Sequence, residues 1–446
     1  MKILFISLGC DKNLVDSEVM LGYLSEAGFE ITNDESEADI AVVNTCSFIH
    51  DAKQESVNTI LEMSDLKEKG QLKVLLVCGC LAQRYADELK EELPQIDAIL
   101  GTMALENIVD AVNDALKGKK ETILPSIDTS LTEAKKRIVT TGGYYAYLKI
   151  AEGCDKCCTY CAIPSMRGKY RSFSMDYLVD QAKHLVEEVG VKELVLVAQE
   201  TTIYGTDLYG HKALTELLHR LGQIEELKWI RLLYCYPEEI DEELLLAMKD
   251  EPKVCHYLDI PIQHASDEIL KRMGRRTSNA QLREKIAMIR RILPDICLRT
   301  TLITGFPGES EEDVECLKQF VEEMRFDRLG VFPYSKEEGT PAAKMKGQIP
   351  KRTKEKRAKE IMLMQQEIAF AKAKERIGLS LPVIVEGRIP EDDVYVCRSY
   401  LDAPDVDGLV FVNCEREFCS GDMIQVKITD SNEYDLIGVL DNECSE

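Results

Sequence analysis

Apolar and polar positions along the chain pass through distinct regimes. Up to about residue 135, short apolar runs at Lys2 to Leu8, Asp39 to Asn44 and Lys73 to Cys78 alternate with stretches whose apolar residues recur at helical spacing. Such alternation predicts a parallel, doubly wound α/β sheet. Residues 126 to 142 are polar, aperiodic and close on Gly142-Gly143, as an interdomain linker does. Strand signals then return at Tyr144 to Ile150, Glu193 to Ala198, Trp229 to Tyr234, Tyr257 to Ile262, Ile296 to Ile303 and Arg328 to Pro333, with helical sequence between them. Six β/α units fall short of a closed eightfold barrel, so the expected architecture is an open, partial (β/α)6 barrel with its site at the strand C-termini. Lys344 to Arg376 is helical, with 11 Lys/Arg against 4 Asp/Glu, and is expected to be a solvated connector. From Ser380 onward the runs shorten to Leu381 to Val385, Gly408 to Val412, Met423 to Ile428 and Asp435 to Leu440, the pattern of a small all-β barrel. The expected units are 1–135, 140–345, 346–379 and 380–446.

Composition narrows the class. A chain of 446 residues suits roughly three domains of about 150 residues each. With 45% hydrophobic and 30% charged residues it is neither disordered nor collagenous. Its longest apolar runs, such as Val74 to Leu81, are far below the about 20 residues that cross a bilayer, and the N-terminus lacks a small-residue cleavage site. A cytoplasmic protein without a membrane partner is expected. The formal charge of -24 does not suit a surface that grips nucleic acid throughout, and a basic partner fits it better. In a reducing compartment the 16 cysteines are not read as disulfides, which leaves metal binding or core filling.

The first metal candidate is Glu152-Gly153-Cys154-Asp155-Lys156-Cys157-Cys158-Thr159-Tyr160-Cys161, directly after the first barrel strand. Cys154, Cys158 and Cys161 have C-x3-C-x2-C spacing, and three thiolates on one loop can hold three irons of a four-iron four-sulfur (4Fe-4S) cluster, leaving one iron open to a small chelator. Cys157 could replace Cys158, and tetrahedral zinc is the chemical competitor. This loop resembles that of the radical S-adenosylmethionine superfamily. The resemblance implies that Cys154, Cys158 and Cys161 are the catalytic cluster ligands, that S-adenosylmethionine chelates the open iron, and that Cys157 is a spacer. Gln199 and Glu200, after the second barrel strand, and Gly305, Gly308 and Glu309, after the fifth, stand at strand C-termini and are the expected cofactor-binding residues.

The second candidate is scattered. Cys10, Cys46 and Cys80 each follow one of the first three strands, and in a parallel sheet those ends share one edge, where doubly wound folds place ligands. A joint metal site is expected there, with Cys78 left in the core.

Together the two triads and the terminal barrel resemble the methylthiotransferases over essentially the whole chain, the last unit being of the TRAM type. Gly9-Cys10-Asp11-Lys12-Asn13-Leu14-Val15-Asp16-Ser17-Glu18, Arg231-Leu232-Leu233-Tyr234-Cys235-Tyr236-Pro237, Ile260-Pro261-Ile262-Gln263-His264-Ala265-Ser266 and Ala403-Pro404-Asp405-Val406-Asp407-Gly408 look like the branch that modifies a ribosomal protein. Asp11 departs from the proline common in that family. The resemblance implies two 4Fe-4S clusters and insertion of a methylthio group at the β-carbon of an aspartate in the small-subunit protein S-twelve. No side chain is basic enough to take that hydrogen as a proton, so the hard step belongs to a cofactor. By resemblance, the barrel cluster reduces S-adenosylmethionine to a 5'-deoxyadenosyl radical, while the Cys10/Cys46/Cys80 cluster carries the sulfur. A reducing electron donor protein is implied as a second partner. The nearest rival is a tRNA methylthiotransferase, and a non-catalytic iron-sulfur carrier is a third class.

Residues 380–446 hold 4 Lys/Arg and 16 Asp/Glu, half of the chain's formal charge. A barrel gripping tRNA should be basic, so a tRNA partner is not expected. Asp402, Asp405 and Asp407 are expected instead to steer the basic ribosomal protein, with solubility as the plainer reading of the acidity and a contact of the basic helix with ribosomal RNA as a weaker one. His264 and the strand-end Tyr204, Tyr234 and Tyr236 are read as packing or contact residues.

Overall fold

The computed structural model describes residues 1–390 and 393–441. The end of the 380–446 unit, 442–446, therefore lies outside the described residues. In the N-terminal unit, β1 (Lys2–Ser7), β2 (Glu30–Thr32), β3 (Ile40–Thr45), β4 (Val74–Gly79), β5 (Ala98–Leu100) and β6 (Glu121–Ile123) form one parallel sheet ordered 2-1-3-4-5-6. Strands β3 and β4 are buried at every position because helices cover both faces. The strand order reverses beside β1, and the crevice beyond the C-terminal ends there is where such sheets receive ligands. Helices α1 (Asp11–Glu26), α2 (His50–Glu68) and α3 (Cys80–Arg84) follow β1, β3 and β4.

The second unit opens with β7 (Tyr145–Lys149), followed by a small antiparallel clasp of β8 (Ala151–Glu152) and β9 (Arg171–Ser172) around the cysteine loop. Then come β10 (Glu193–Val197), β11 (Trp229–Leu232), β12 (Val254–Asp259), β13 (Cys297–Thr304) and β14 (Arg328–Pro333). These six longer strands form an open parallel sheet ordered 7-10-11-12-13-14. Alternate residues, among them Leu148, Leu196, Ile230, Leu258 and Leu302, pack outward against helices, and their neighbours line the lumen. The linker is not loose. Ala134 is buried, and Arg137 and the Ile138 and Thr140 backbones all engage Glu18 of α1.

The basic segment departs from its expected role. The helix Lys351–Glu375 buries Ala358, Ile361, Ile368, Ala369 and Ala373 and lies along β14, covering the free edge of the open sheet. Its lysines and arginines kept polarity high enough to mask that stripe.

Strands β15 (Ser380–Ile389), β16 (Val394–Ser399), β17 (Val410–Asn413), β18 (Met423–Asn432) and β19 (Asp435–Leu440) close into a barrel ordered 15-16-17-19-18. It seals the N-terminal mouth of the larger barrel, and the two share one apolar core containing Tyr145, Trp229, Tyr257, Leu401 and Val410. This docking overturns the expected role of two of the three aspartates, Asp402 and Asp407, while Asp405 stays exposed. Asp402 pairs with Arg328, Asp407 accepts from Tyr257 Oη at 2.6 Å, and Asp405 accepts from Tyr145 Oη at 2.6 Å. Asp402 and Asp407 are buried counter-charges of the barrel floor, not a docking surface for a basic protein. At the centre of this floor Glu193 binds Arg231 Nε at 2.7 Å and Arg398 Nη2 at 2.5 Å.

Candidate functional site

At the opposite, C-terminal ends of the strands, both cysteine triads assemble. Cys10 lies between β1 and α1, Cys46 follows β3, and Cys80 opens α3 after β4. Their loops meet closely enough to need glycine: Gly9 has φ +95°, and a Cβ there would sit 2.6 Å from that of Cys46. Asn13 fastens two of these loops by donating to the Leu8 carbonyl at 2.6 Å and the Thr45 carbonyl at 3.3 Å. Burial pushes the Cys46 thiol up to about 12, and Cys10 and Cys80 push it in the same direction. Cys80 is also raised by burial, with Cys10 adding to the shift. Cys46 and Cys80, held protonated by burial, would release their protons to a metal centre that takes their place. Cys78 points to the Val43 carbonyl and stays in the core.

In the barrel loop, burial pushes Cys154 and Cys161 each up to about 12, with Cys158 raising both further. Cys154 Sγ accepts from the Lys156 amide and Cys161 Sγ from the Ile163 amide, each at 3.4 Å. Tyr236 Oη lies 3.6 Å from Cys158 Sγ, and Arg275 stacks over the Tyr236 ring at 4.3 Å. Cys157 is exposed and its thiol turns to the Asp155 carbonyl, so the structure groups Cys158, not Cys157, with Cys154 and Cys161. Among the described residues no three such ligands close on a single-ion site. The thiols of each triad share a field without converging on one point.

Between the triads lies a buried ion network. Arg167, at the end of the short helix Ile163–Arg167, donates from Nη1 to Asp16 at 2.6 Å and Glu152 at 2.9 Å, and from Nη2 to Asn13 at 2.9 Å. Lys149 binds Asp16 and, at 2.9 Å, Glu152. Burial opposes the Glu152 charge, but Arg167 and Lys149 overcome it and hold the carboxyl well below its usual range. Across the opening, Glu337 from the loop after β14 grips Lys53 at 2.7 Å and Arg84 at 3.6 Å. The N-terminal unit is thus fastened near both edges of the open barrel.

The remaining predicted residues divide. Gln199 donates to Glu152 at 2.7 Å and leaves its Oε1 without a partner, and Glu200 is buried, its Oε2 without a hydrogen bond and 3.9 Å from the Lys156 ammonium. Burial raises Glu200 to about 7. These orphaned acceptors stand where a cofactor with amino and hydroxyl donors would satisfy them. Gly305, Gly308 and Glu309 are occupied by the protein itself. A Cβ at Gly305 would lie 2.2 Å from Lys354 Cγ and one at Gly308 2.3 Å from Arg272 Nη1, while Glu309 accepts from the Gly305 and Phe306 amides at 2.8 and 3.2 Å. The free approach that glycine was expected to give a ligand is filled on those faces. His264 is buried, its Nδ1 accepts from the Ser266 amide at 2.9 Å, and its Nε2 lies 3.6 Å from Glu309. Tyr204 is core, whereas Tyr234, at φ +59°, reaches Asp11 at 3.2 Å and carries the Lys12 ammonium 3.2 Å over its ring. One short segment after β11 therefore sends Tyr234 beside Cys10 and Tyr236 to Cys158. The alternation of tyrosines around Cys235 was the only sequence signal for it. Arg167, Lys149, Asp16 and Glu152 gave none, since Asp16 lies 133 residues or more from the three charged residues it joins.

Residues 2–101 match the family described as Uncharacterized protein family UPF0004, 148–321 the Radical SAM superfamily and 377–440 the TRAM domain. The ribosomal protein uS12 methylthiotransferase RimO of Lachnoclostridium phytofermentans is 59% identical over 99% of this chain and 100% of its own length. That of Acetivibrio thermocellus is 49% identical over 100% and 99%. Among solved structures, the radical S-adenosylmethionine methyltransferase TsrM of Kitasatospora setae aligns with a TM-score of 0.54 at 13% identity, covering 85% of this chain and 78% of TsrM, a likeness of fold. No helix of the described residues is long and apolar enough to cross a membrane.

Proposed function

This chain belongs to the ribosomal protein uS12 methylthiotransferase family, and from that membership and the site geometry we propose its reaction: replacement of a hydrogen on the β-carbon of an aspartate in uS12 by a methylthio group. The observation that carries the reading is the pairing of two thiol triads, one at the sheet edge of each α/β unit, across a single buried ion network. Cys154, Cys158 and Cys161 would hold one 4Fe-4S cluster and Cys10, Cys46 and Cys80 the other, each with one iron lacking a protein ligand. When bound, the clusters and S-adenosylmethionine supply the electron, the hydrogen-abstracting radical and the sulfur. The chain does the rest. Gln199 Oε1 and Glu200 Oε2, neither of which takes a hydrogen bond from the chain, would accept from the cofactor, and Glu309 stiffens the Gly305 to Gly308 loop after β13. Tyr236 and Arg275 shield the Cys158 side from water, and Tyr234 with Lys12 flanks the exposed Cys10. Sealing of the barrel floor by the terminal barrel leaves the cysteine end as the route for a substrate loop. The protein is a cytoplasmic enzyme that takes its electrons from a reducing protein partner.

Anaerobically reconstituted enzyme, given uS12, bulk tRNA and a reductant, tests this by mass spectrometry. Methylthiolated uS12 with unmodified tRNA is the expected result. Modified tRNA with unmodified uS12 refutes it.

A further inference from the structure

The two triads sit on different folding units, yet one side chain touches the supports of both. Arg167 follows Cys161 by one short helix and is almost fully buried. Its Nη2 holds Asn13, the residue that ties down the chain beside Cys10 and Cys46, and the short helix that Arg167 ends packs against α3, which Cys80 opens. The loops of Cys10 and Cys46, through Asn13, and the helix of Cys80, through packing, thus all lean on this one group and its helix. Its Nη1 is shared by Asp16 of the N-terminal unit and Glu152 of the barrel. With Lys149 the network has two cations and two carboxylates, so the formal charges cancel before any cluster is counted. A guanidinium is suited to this task because its planar fork offers several fixed donors and keeps its charge when buried.

We propose that Arg167 is a positioning residue that sets the N-terminal triad against the barrel triad and, as a buried cation beside the supports of Cys10, Cys46 and Cys80, raises the reduction potential of the cluster that triad holds. The inference rests on the reading that Cys10, Cys46 and Cys80 bind such a cluster. Reduction adds one electron and therefore one negative charge to the cluster, with no bond made or broken. A buried cation close to the ligands favours the form with more negative charge. Asp16 and Glu152 face Arg167 and temper that field, and Lys149 offsets them.

The test uses the full chain with Cys154, Cys158 and Cys161 replaced by alanine, so that one cluster is read alone. Iron is counted after anaerobic reconstitution, and the midpoint potential is followed by electron paramagnetic resonance during titration with dithionite. About four irons per chain are expected. Absence of iron refutes the cluster reading itself, whatever Arg167 does. With iron present, Arg167→Gln should lower the midpoint potential and Arg167→Lys, which keeps the charge but loses the fork, should restore part of the drop. Asp16→Asn weakens the same interface while leaving the guanidinium charge and its bond to Asn13, so it should leave the potential unchanged or raise it. An unchanged potential in Arg167→Gln overturns the proposal, as does a fall in Asp16→Asn equal to that in Arg167→Gln, which would trace the effect to interface packing. If Arg167→Gln takes up no iron, the Arg167→Lys and Asp16→Asn pair decides: a lower potential in Asp16→Asn than in Arg167→Lys overturns it.

Discussion

Replacing Glu193 by glutamine should loosen the terminal barrel from the floor of the larger one. Glu193 is fully buried and is shared by Arg231 and Arg398, which are themselves 0% and 1% exposed. Glutamine keeps the shape but removes the charge that both guanidiniums need. Arg231 retains the Tyr400 carbonyl at 2.7 Å, and Arg398 retains Glu386 at 2.8 Å and the Asp402 carbonyl at 3.0 Å, so each keeps hydrogen bonds while Arg231 loses its carboxylate. Breaking a buried ion pair by removing one partner costs about 3–5 kcal/mol. At about 1.4 kcal/mol per factor of ten, that is roughly a hundredfold to several thousandfold in the docking equilibrium. Amide hydrogen exchange on the anaerobic holoenzyme reads it directly, because sub-global opening sets the protection of β10 and β16. Protection there should fall by that factor while β3 and β4, in the N-terminal sheet, change little. The apolar triple replacement Glu193→Leu, Arg231→Met and Arg398→Met should recover most of it, since a packed apolar core often matches a buried ion pair. Protection within about threefold of the parent in Glu193→Gln would refute the reasoning.

Other outcomes follow from the same geometry. Alanine at Cys10, Cys46 and Cys80 should lower iron from about eight to about four per chain and stop methylthiolation, with 5'-deoxyadenosine still formed; full iron in that variant would contradict the N-terminal site. Glu200 is raised to about 7 by burial, so it is largely protonated below neutrality, and binding of the cationic S-adenosylmethionine should favour its ionised form. Cofactor affinity should therefore rise with pH through about 7, with proton release seen by calorimetry in buffers of different ionisation enthalpy, and Glu200→Gln should flatten both. For stability the sign is the reverse: a raised carboxyl pKa favours the fold below the folded value and costs stability as pH rises from the unfolded value of 4.5 toward about 7. Asp402→Asn removes the partner of buried Arg328 and should lower the thermal midpoint while leaving the salt dependence of uS12 binding as it was; a flattened salt dependence would restore a recognition role.

The parts of the fold that were legible were those with enough residues to show a period. The central strands β1, β3 and β4 and the six barrel strands appear where the apolar runs lie, although β12 starts at Val254 because the polar His256 interrupts its run. Strands β2, β5 and β6 span three residues each, too few to alternate, and gained their place from pairing with longer neighbours. The expected shared edge of Cys10, Cys46 and Cys80 was readable because each cysteine follows a strand, and topology does the rest. Burial of Asp402 and Asp407 was not readable. Composition records how many carboxylates a segment has but not which face they occupy, and their partners Arg328, Tyr257 and Arg299 are far away in the chain. The network of Asp16, Lys149, Glu152 and Arg167 was hidden for the same reason, since buried charges are identifiable only by partners that folding supplies.

Deletion of the gene in its native host tests the central claim most directly, with uS12 and bulk tRNA from parent and deletion strains compared by mass spectrometry. The account predicts that the uS12 aspartate loses one methylthio group in the deletion strain, that every methylthiolated nucleoside of the tRNA persists, and that the intact gene, but not one lacking Cys10, Cys46 and Cys80, restores it. Unchanged uS12 together with a missing tRNA methylthio group would contradict it.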